Sequence, residues 1–430
     1  MEERRRVVSR IACAWKAKPG RVAIRNARKI DARGVRDHFW VVCDGGVILA
    51  TGNGDDDYES CRRAIGFGSA DIDSSPDAAV GATADVTTID AKGALLTPGY
   101  IDIHSHGAWG SSFDDGPQGI AMARAGHIEH GTTRQVLSLI TNPIPAMVGS
   151  IGNVYAAMGE RPDILGSHLE GPFLAPSRRG AHNPADLKDP APDVVDALLD
   201  ASRHSIRQIT IAPELEHGID AIRRFRASGV VPAIGHCDAD YDTALRGFDA
   251  GAQILTHVFN AMNGIHHRAP GPIPAAVEDP RVTIELINDG FHVHDPVVRL
   301  AFDLAPHRIA LVTDAMAATG CPDGAYKLGS LDVNVIDDHA RLASNGAIAG
   351  STLVLEEAVR RAVMVLGMDA VESVEAATLT PARALGLDGP NPVTGAPLGL
   401  IAPGYAADML LTDRNTWNVM HVWCAGHRLK

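Results

Sequence analysis

Two histidines one residue apart, His104 and His106, close an apolar run that begins at Leu96, and Gly107 follows at once. On a strand, alternate side chains face the same way, so the two imidazoles share one face and Ser105 takes the other. That is half of a metal site, although an isolated His-x-His pair is more often merely solvated. Further donors stand where other apolar runs end. Leu165–Glu170 ends in a carboxylate and is stopped by Gly171-Pro172, Val231–His236 and Ala252–His257 end in imidazoles, and Ile309–Asp314 ends in a second carboxylate. His104, His106, Glu170, His236, His257 and Asp314 thus offer four imidazoles and two carboxylates. Such a set suits Zn²⁺ or Fe²⁺ and is too rich in nitrogen for Ca²⁺ or Mg²⁺. Six donors exceed what one tetrahedral catalytic ion with an open position requires, which leaves room for a second metal position that Glu170 could bridge.

These donors meet only if their strands end on one common face. From Gly99 onward an apolar strand, a polar or glycine-containing loop and a helix alternate many times, with candidate strands at Ile101–His106, Arg134–Leu139, Ile164–Glu170, Ile206–Ile211, Val231–His236, Ala252–Thr256, Thr283–Asn288, Ile309–Thr313 and Ala347–Gly350. About eight such units closing on themselves make an α/β fold of the (β/α)8 TIM-like barrel type, whose functional residues sit at the C-terminal ends of the strands. A doubly wound open sheet is the competing architecture. Short strand-like runs before Thr97 and after Gly389 belong together as one small β-sandwich built from both chain ends, residues 20–97 plus 390–430, flanking a barrel of residues 98–389. Residues 1–19 read as a flexible N-terminal extension, and 54–83, rich in Asp, Ser, Gly and Ala, as a solvent-exposed insertion.

With 430 residues, 45% of them hydrophobic, and 43 Gly, the chain is long enough for a large core and loop-rich in the manner of an enzyme. A formal charge of −13 argues against a nucleic-acid partner, because phosphate-backbone affinity needs clustered cations. It leaves open a small phosphorylated ligand held by a few local donors. The cysteines, from Cys13 to Cys424, are scattered without a Cys-x-x-Cys pair, which suits reduced thiols and a cytoplasmic setting. No apolar run reaches the length of a membrane span, and Arg10 and Lys16 interrupt the apolar part of the basic N-terminus, which argues against a cleavable signal.

The segments Pro98–Gly107, His168-Leu169-Glu170-Gly171-Pro172, Gly180-Ala181-His182-Asn183-Pro184, Thr256-His257-Val258-Phe259-Asn260-Ala261-Met262, Asp289-Gly290-Phe291-His292 and Leu311–Ala315 occur in one order. Together they resemble the N-acetylglucosamine-6-phosphate deacetylase family of the amidohydrolase superfamily. His-Leu-Glu-Gly-Pro and His-x-x-Asn-Ala-Met are the more specific of these. The resemblance implies that Glu170, His236 and His257 hold the main metal, that Asp314 is general base and acid, and that His182 and His292 contact substrate, with His182 at the carbonyl. Members lacking the first histidine of the His-x-His pair bind one metal; both are present here. Asn260, the Ala261 backbone N–H and Arg268 suit the phosphate, and in the family the arginine matching Arg268 reaches the neighbouring subunit's site, which implies a homodimer. The implied reaction converts N-acetylglucosamine 6-phosphate to glucosamine 6-phosphate and acetate, in amino-sugar catabolism and cell-wall sugar recycling. Another N-acyl or cyclic amide is the alternative substrate, although cyclic amidases usually carry a bridging lysine where Glu170 stands. A non-catalytic barrel is a remoter alternative, since such relatives lose ligands that are all present here. Arg178-Arg179 suits either an anionic substrate or a plain surface, and His266-His267 lies in a loop without strand alternation.

Overall fold

A computed structural model describes residues 2–65 and 87–430. Eight parallel strands follow one another around a ring in chain order: Tyr100–Asp102, Thr132–Ile140, Ile164–Glu170, Ile206–Ile211, Val231–Ile234, Ile254–Leu255, Thr283–Ile287 and Ile309–Val312. Helices cover the outside and side chains fill the inside, so both faces of each strand are dry. All nine residues of Thr132–Ile140 are buried, polar Thr132, Thr133, Arg134, Gln135 and Ser138 included. The ring closes just beyond the first and eighth strands. The Asp314 N–H donates to the His104 carbonyl at 2.9 Å, and the Thr313 hydroxyl donates to Asp102 Oδ2 at 2.7 Å. The closing residues are therefore candidate site residues as well.

The expected strand Ala347–Gly350 does not form. Ile348 makes only an isolated bridge to Arg341, and the ring is already complete without the segment. Between the eighth strand and that segment lies an antiparallel three-stranded sheet, Gly324–Leu328, Leu331–Ile336 and His339–Leu342. Its buried Leu328, Val333, Val335, Ala340 and Leu342 pack on Ile140, Ala181 and Met316, which seats it beside the loop that carries His182.

Both chain ends build the second layer. Val22–Asp31, Gly34–Asp44, Val47–Asn53, Thr87–Asp90 and Leu95–Pro98 join Met409–Thr412, Val419–Cys424 and His427–Arg428 in one eight-stranded sheet. Its strands are joined in one continuous hydrogen-bonded sheet. The sheet curls until Ile48 N–H meets the Tyr405 carbonyl and Ala407 N–H meets the Gly46 carbonyl, both at 2.8 Å. Phe39, Val41, Leu96, Met409 and Trp423 fill the enclosed space.

Residues 1–19, expected as a flexible extension, instead carry a helix, Glu2–Lys16, docked on the barrel. Ile11 and Ala14, three residues apart on one helical face, are buried. Arg4 reaches the carbonyl oxygens of Gly320 at 2.6 Å and Trp109 at 3.3 Å, and Arg10 pairs with Glu129. These two arginines anchor the helix. Of the expected exposed insertion, Asp55–Ala64 is a helix whose Tyr58 is buried against Trp40, and the part from residue 66 onward lies outside the described residues.

Candidate active site

All six sequence-nominated donors converge at the C-terminal end of the barrel. Glu170, the last residue of the third strand, stands at the centre: its Oε1 lies 3.1 Å from His236 Nε2, 3.2 Å from His257 Nε2 and 3.2 Å from His104 Nε2, and its Oε2 lies 2.9 Å from His106 Nε2. Asp314 Oδ1 approaches His106 Nε2 at 3.5 Å and His104 Nε2 at 3.7 Å. The donors form two overlapping groups, His104, His106, Glu170 and Asp314 on one side and Glu170, His236 and His257 on the other, with ligand atoms in each within 4.8 Å of one another. Glu170 alone belongs to both.

Hydrogen bonds behind the cluster show that it fits a cation. His236 Nδ1 lies 2.8 Å from the Arg178 carbonyl oxygen, which only accepts, so Nδ1 carries the hydrogen and a neutral ring presents a bare Nε2. That lone pair faces both Glu170 Oε1 and, at 3.0 Å, His257 Nε2. His104 Nε2 is buried and directed into no hydrogen bond. Buried acceptors turned on one another repel, and a shared divalent ion removes the repulsion.

Backbone strain gathers here too. His236 (φ 47°), His257 (φ 23°) and Asp314 (φ 48°), each just past a strand end, occupy left-handed conformations that non-glycine residues rarely adopt. The turn out of each strand is thereby sharp enough to bring three separate ends to one point.

The other nominated residues divide. His182 is drawn in, with Nε2 3.3 Å from Glu170 Oε2 and Nδ1 3.0 Å from Thr141 Oγ1, whose hydroxyl also reaches the Glu170 carbonyl oxygen at 2.9 Å. Burial pushes the His182 imidazole down to about 4, so the ring is neutral. His292 sits over Asp289, Nδ1 to Oδ2 at 2.6 Å. Asn260 and Ala261 lie on the turn leaving His257, Asn260 Nδ2 meeting the Val258 carbonyl at 3.2 Å and Ala261 at φ 51°. Arg268 is not brought to the cluster: it is exposed on the loop beyond, its Nη1 2.6 Å from His267 Nε2.

Sequence reasoning missed the supports. Glu285, wholly buried in the seventh strand, accepts from Gln208 Nε2 at 2.7 Å and touches His104 Nδ1 at 3.0 Å. The available signal was a carboxylate flanked by Ile284 and Leu286 inside an apolar strand. His168, two residues before Glu170, is held between Ser138 Oγ and Thr210 Oγ1, both at 2.9 Å, and packs edge-on against His104 with ring centroids 4.6 Å apart.

A parallel eight-stranded barrel with a His-x-His pair after its first strand and a carboxylate after its eighth defines a metal-dependent hydrolase of the amidohydrolase type, and the amidohydrolase family pattern matches residues 95–429. The chain is 36% identical to the N-acetylgalactosamine-6-phosphate deacetylase of Escherichia coli O157:H7, over 79% of this chain and 89% of that one. It is 31% identical to the N-acetylglucosamine-6-phosphate deacetylase of Vibrio furnissii, over 77% and 82%. Among solved structures, a mutant N-acetyl-D-glucosamine-6-phosphate deacetylase from Mycobacterium smegmatis in complex with N-acetyl-D-glucosamine-6-phosphate superposes with a TM-score of 0.82, 34% identity and coverage of 95% and 99%. The chain belongs to the amidohydrolase family, in the group of its N-acetylglucosamine- and N-acetylgalactosamine-6-phosphate deacetylases.

Proposed function

We propose that the protein hydrolyses the acetamide of N-acetylglucosamine 6-phosphate, releasing acetate and glucosamine 6-phosphate. The observation that carries this reading is the double donor group sharing Glu170 at the mouth of the barrel, set in a chain similar throughout to enzymes of that name. Amide hydrolysis needs an activated water, a polarised carbonyl and a proton for the departing nitrogen.

Glu170, His236 and His257 would hold one divalent ion, and His104, His106 and Asp314 with Glu170 would hold a second, the nitrogen-rich donor set favouring Zn²⁺ or Fe²⁺. Bound metal supplies Lewis acidity, which makes water a stronger acid and draws electron density from a carbonyl. Asp314 takes the proton from the attacking water and delivers it to the amine nitrogen as the C–N bond breaks, so one carboxylate serves both steps. His182, facing the same space, lies at the substrate carbonyl, where negative charge develops. His292 binds the sugar or the phosphate, and the Asn260 amide and Ala261 N–H bind phosphate oxygens.

Arg268, exposed and outside the cluster of its own chain, completes the phosphate site of a second copy in a homodimer. Among the described residues no helix is long and apolar enough to cross a membrane, and we place the enzyme in the cytoplasm on its scattered, unpaired cysteines.

Acetate release from N-acetylglucosamine 6-phosphate, its galacto epimer and unphosphorylated N-acetylglucosamine, with and without chelator, tests the reading. Metal-dependent turnover is expected on the gluco phosphosugar, with a much higher KM for the sugar lacking phosphate. A preference for the epimer would reassign the substrate, and turnover that survives complete metal removal would overturn the mechanism.

A further inference from the structure

One oxygen of Glu285 touches both halves of the donor cluster. Its Oε2 lies 3.2 Å from the backbone nitrogen of His257 and 3.0 Å from His104 Nδ1. The side chain is wholly buried in the seventh strand, and Gln208 Nε2 takes up its other oxygen at 2.7 Å.

The hydrogen-bond roles follow in order. A backbone N–H can only donate, so Oε2 accepts from His257. The same oxygen therefore accepts from His104, whose Nδ1 carries the hydrogen, and the lone pair of the neutral ring is left on Nε2. Nε2 is the atom aimed at Glu170 and Asp314. Were the hydrogen on Nε2 instead, His104 could not ligate from that atom and would present a donor to the centre.

We infer that Glu285 is a positioning residue for metal: it holds His104 in its ligating tautomer while pinning the backbone of His257, and so ties the donor group on the His104 side to the group on the His236 side. The inference rests on the two-position reading of the centre given above. Partners of this kind behind a metal-ligating histidine typically change metal affinity by about 10–100-fold.

Substitution separates this role from simple packing. Glu285→Leu removes the acceptor and keeps the apolar bulk. Glu285→Gln keeps one oxygen toward His104 and His257 and turns its NH₂ toward Gln208, whose own Oε1 is buried without a partner and can take that hydrogen after an amide flip. The full-length protein and both variants are stripped, reloaded with excess Zn²⁺, passed over a desalting column and assayed for bound metal by mass spectrometry, with affinities from chelator competition.

The wild type is expected to retain two equivalents, Glu285→Leu about one with the weaker equivalent loosened at least tenfold, and Glu285→Gln close to two. Should the leucine variant fail to fold, Glu285→Asp, which withdraws the carboxylate by one methylene, is expected to lose the same equivalent. Wild-type metal content and affinity in a folded leucine or aspartate variant would overturn the role of Glu285. A wild type that holds only one equivalent would instead overturn the two-position reading on which it rests.

Discussion

Arg134 and Asp408 face each other across the boundary between the barrel and the terminal sheet, Nε to Oδ2 at 2.5 Å and Nη2 to Oδ1 at 3.0 Å. Their side chains are 2% and 7% exposed. Asp408 also accepts the Ala425 N–H at 2.7 Å, and its carbonyl receives the Gly99 N–H at 2.9 Å, so one residue fastens the strand ends at which sheet becomes barrel. Removing one member of a buried pair strands the other charge without solvent. Asp408→Ala is expected to cost about 3–5 kcal/mol in urea unfolding, with kcat of the folded fraction near wild type. A loss below about 1 kcal/mol, the range of exposed ion pairs, would mean that the pair contributes little.

Asp314 is assigned both the proton transfers and a place among the donors on the His104 side. Asp314→Asn keeps the size of the side chain and removes its basicity. A fall in kcat of about 10²–10⁴ is expected, with KM changed only a few-fold. Steady-state kinetics at saturating metal decide the matter, and turnover within tenfold of wild type would assign the proton to another group.

The His292–Asp289 contact makes stability depend on pH in a definite direction. Burial lowers the imidazole's affinity for a proton, but the hydrogen bond and charge of Asp289 outweigh it, so His292 titrates above its ordinary value. Asp289, raised by burial but lowered more by His292, titrates below its own. The histidine's contribution is complete below about pH 6.5 and is lost as pH rises through its raised value; the aspartate's is present above about pH 3.9 and is lost as pH falls through its lowered one. Asp289→Asn should therefore lower the melting temperature more at pH 6 than at pH 9. Equal losses at the two pH values would show that no charge pair contributes there.

Stripping metal should be felt in the fold as well as in turnover, because the acceptors around Glu170 then face one another uncompensated. Added Zn²⁺ at a thousandfold excess over its dissociation constant is expected to stabilise the stripped protein by about 4 kcal/mol, read as a rise in melting temperature by calorimetry. An unchanged melting curve would show that the cluster binds no metal.

The candidate donors stood out because the sequence places each at the end of an apolar run, where a barrel strand must turn outward, and six such placements together exceed chance although any one of them alone would not. Glu285 was not legible by that rule. It lies within its strand, and its partners, His104 and Gln208, come from other strands that only ring closure brings near. The helix Glu2–Lys16 was hidden for the opposite reason: Arg4 and Arg10 look like solvated charges until the loops at Gly320 and the side chain of Glu129 are in place to receive them. The sheet Gly324–Leu342 did carry a signal, since Val333 and Val335 are buried while Asp332, Asn334 and Ile336 are exposed, an alternation of period two. A search for barrel strands passes over such a short antiparallel insert.

Joining Leu95–Pro98 to Met409–Thr412 has a consequence for biosynthesis. The ribosome releases the early strands of the terminal sheet long before their last neighbours, so the edge of Leu95–Pro98 stays open while the whole barrel is made. Leu96 then waits uncovered for Met409 and Trp423, the side chains that complete its surroundings. Chains cut short before Met409 keep that apolar edge permanently, which marks them for chaperones and proteases however well their barrels have formed.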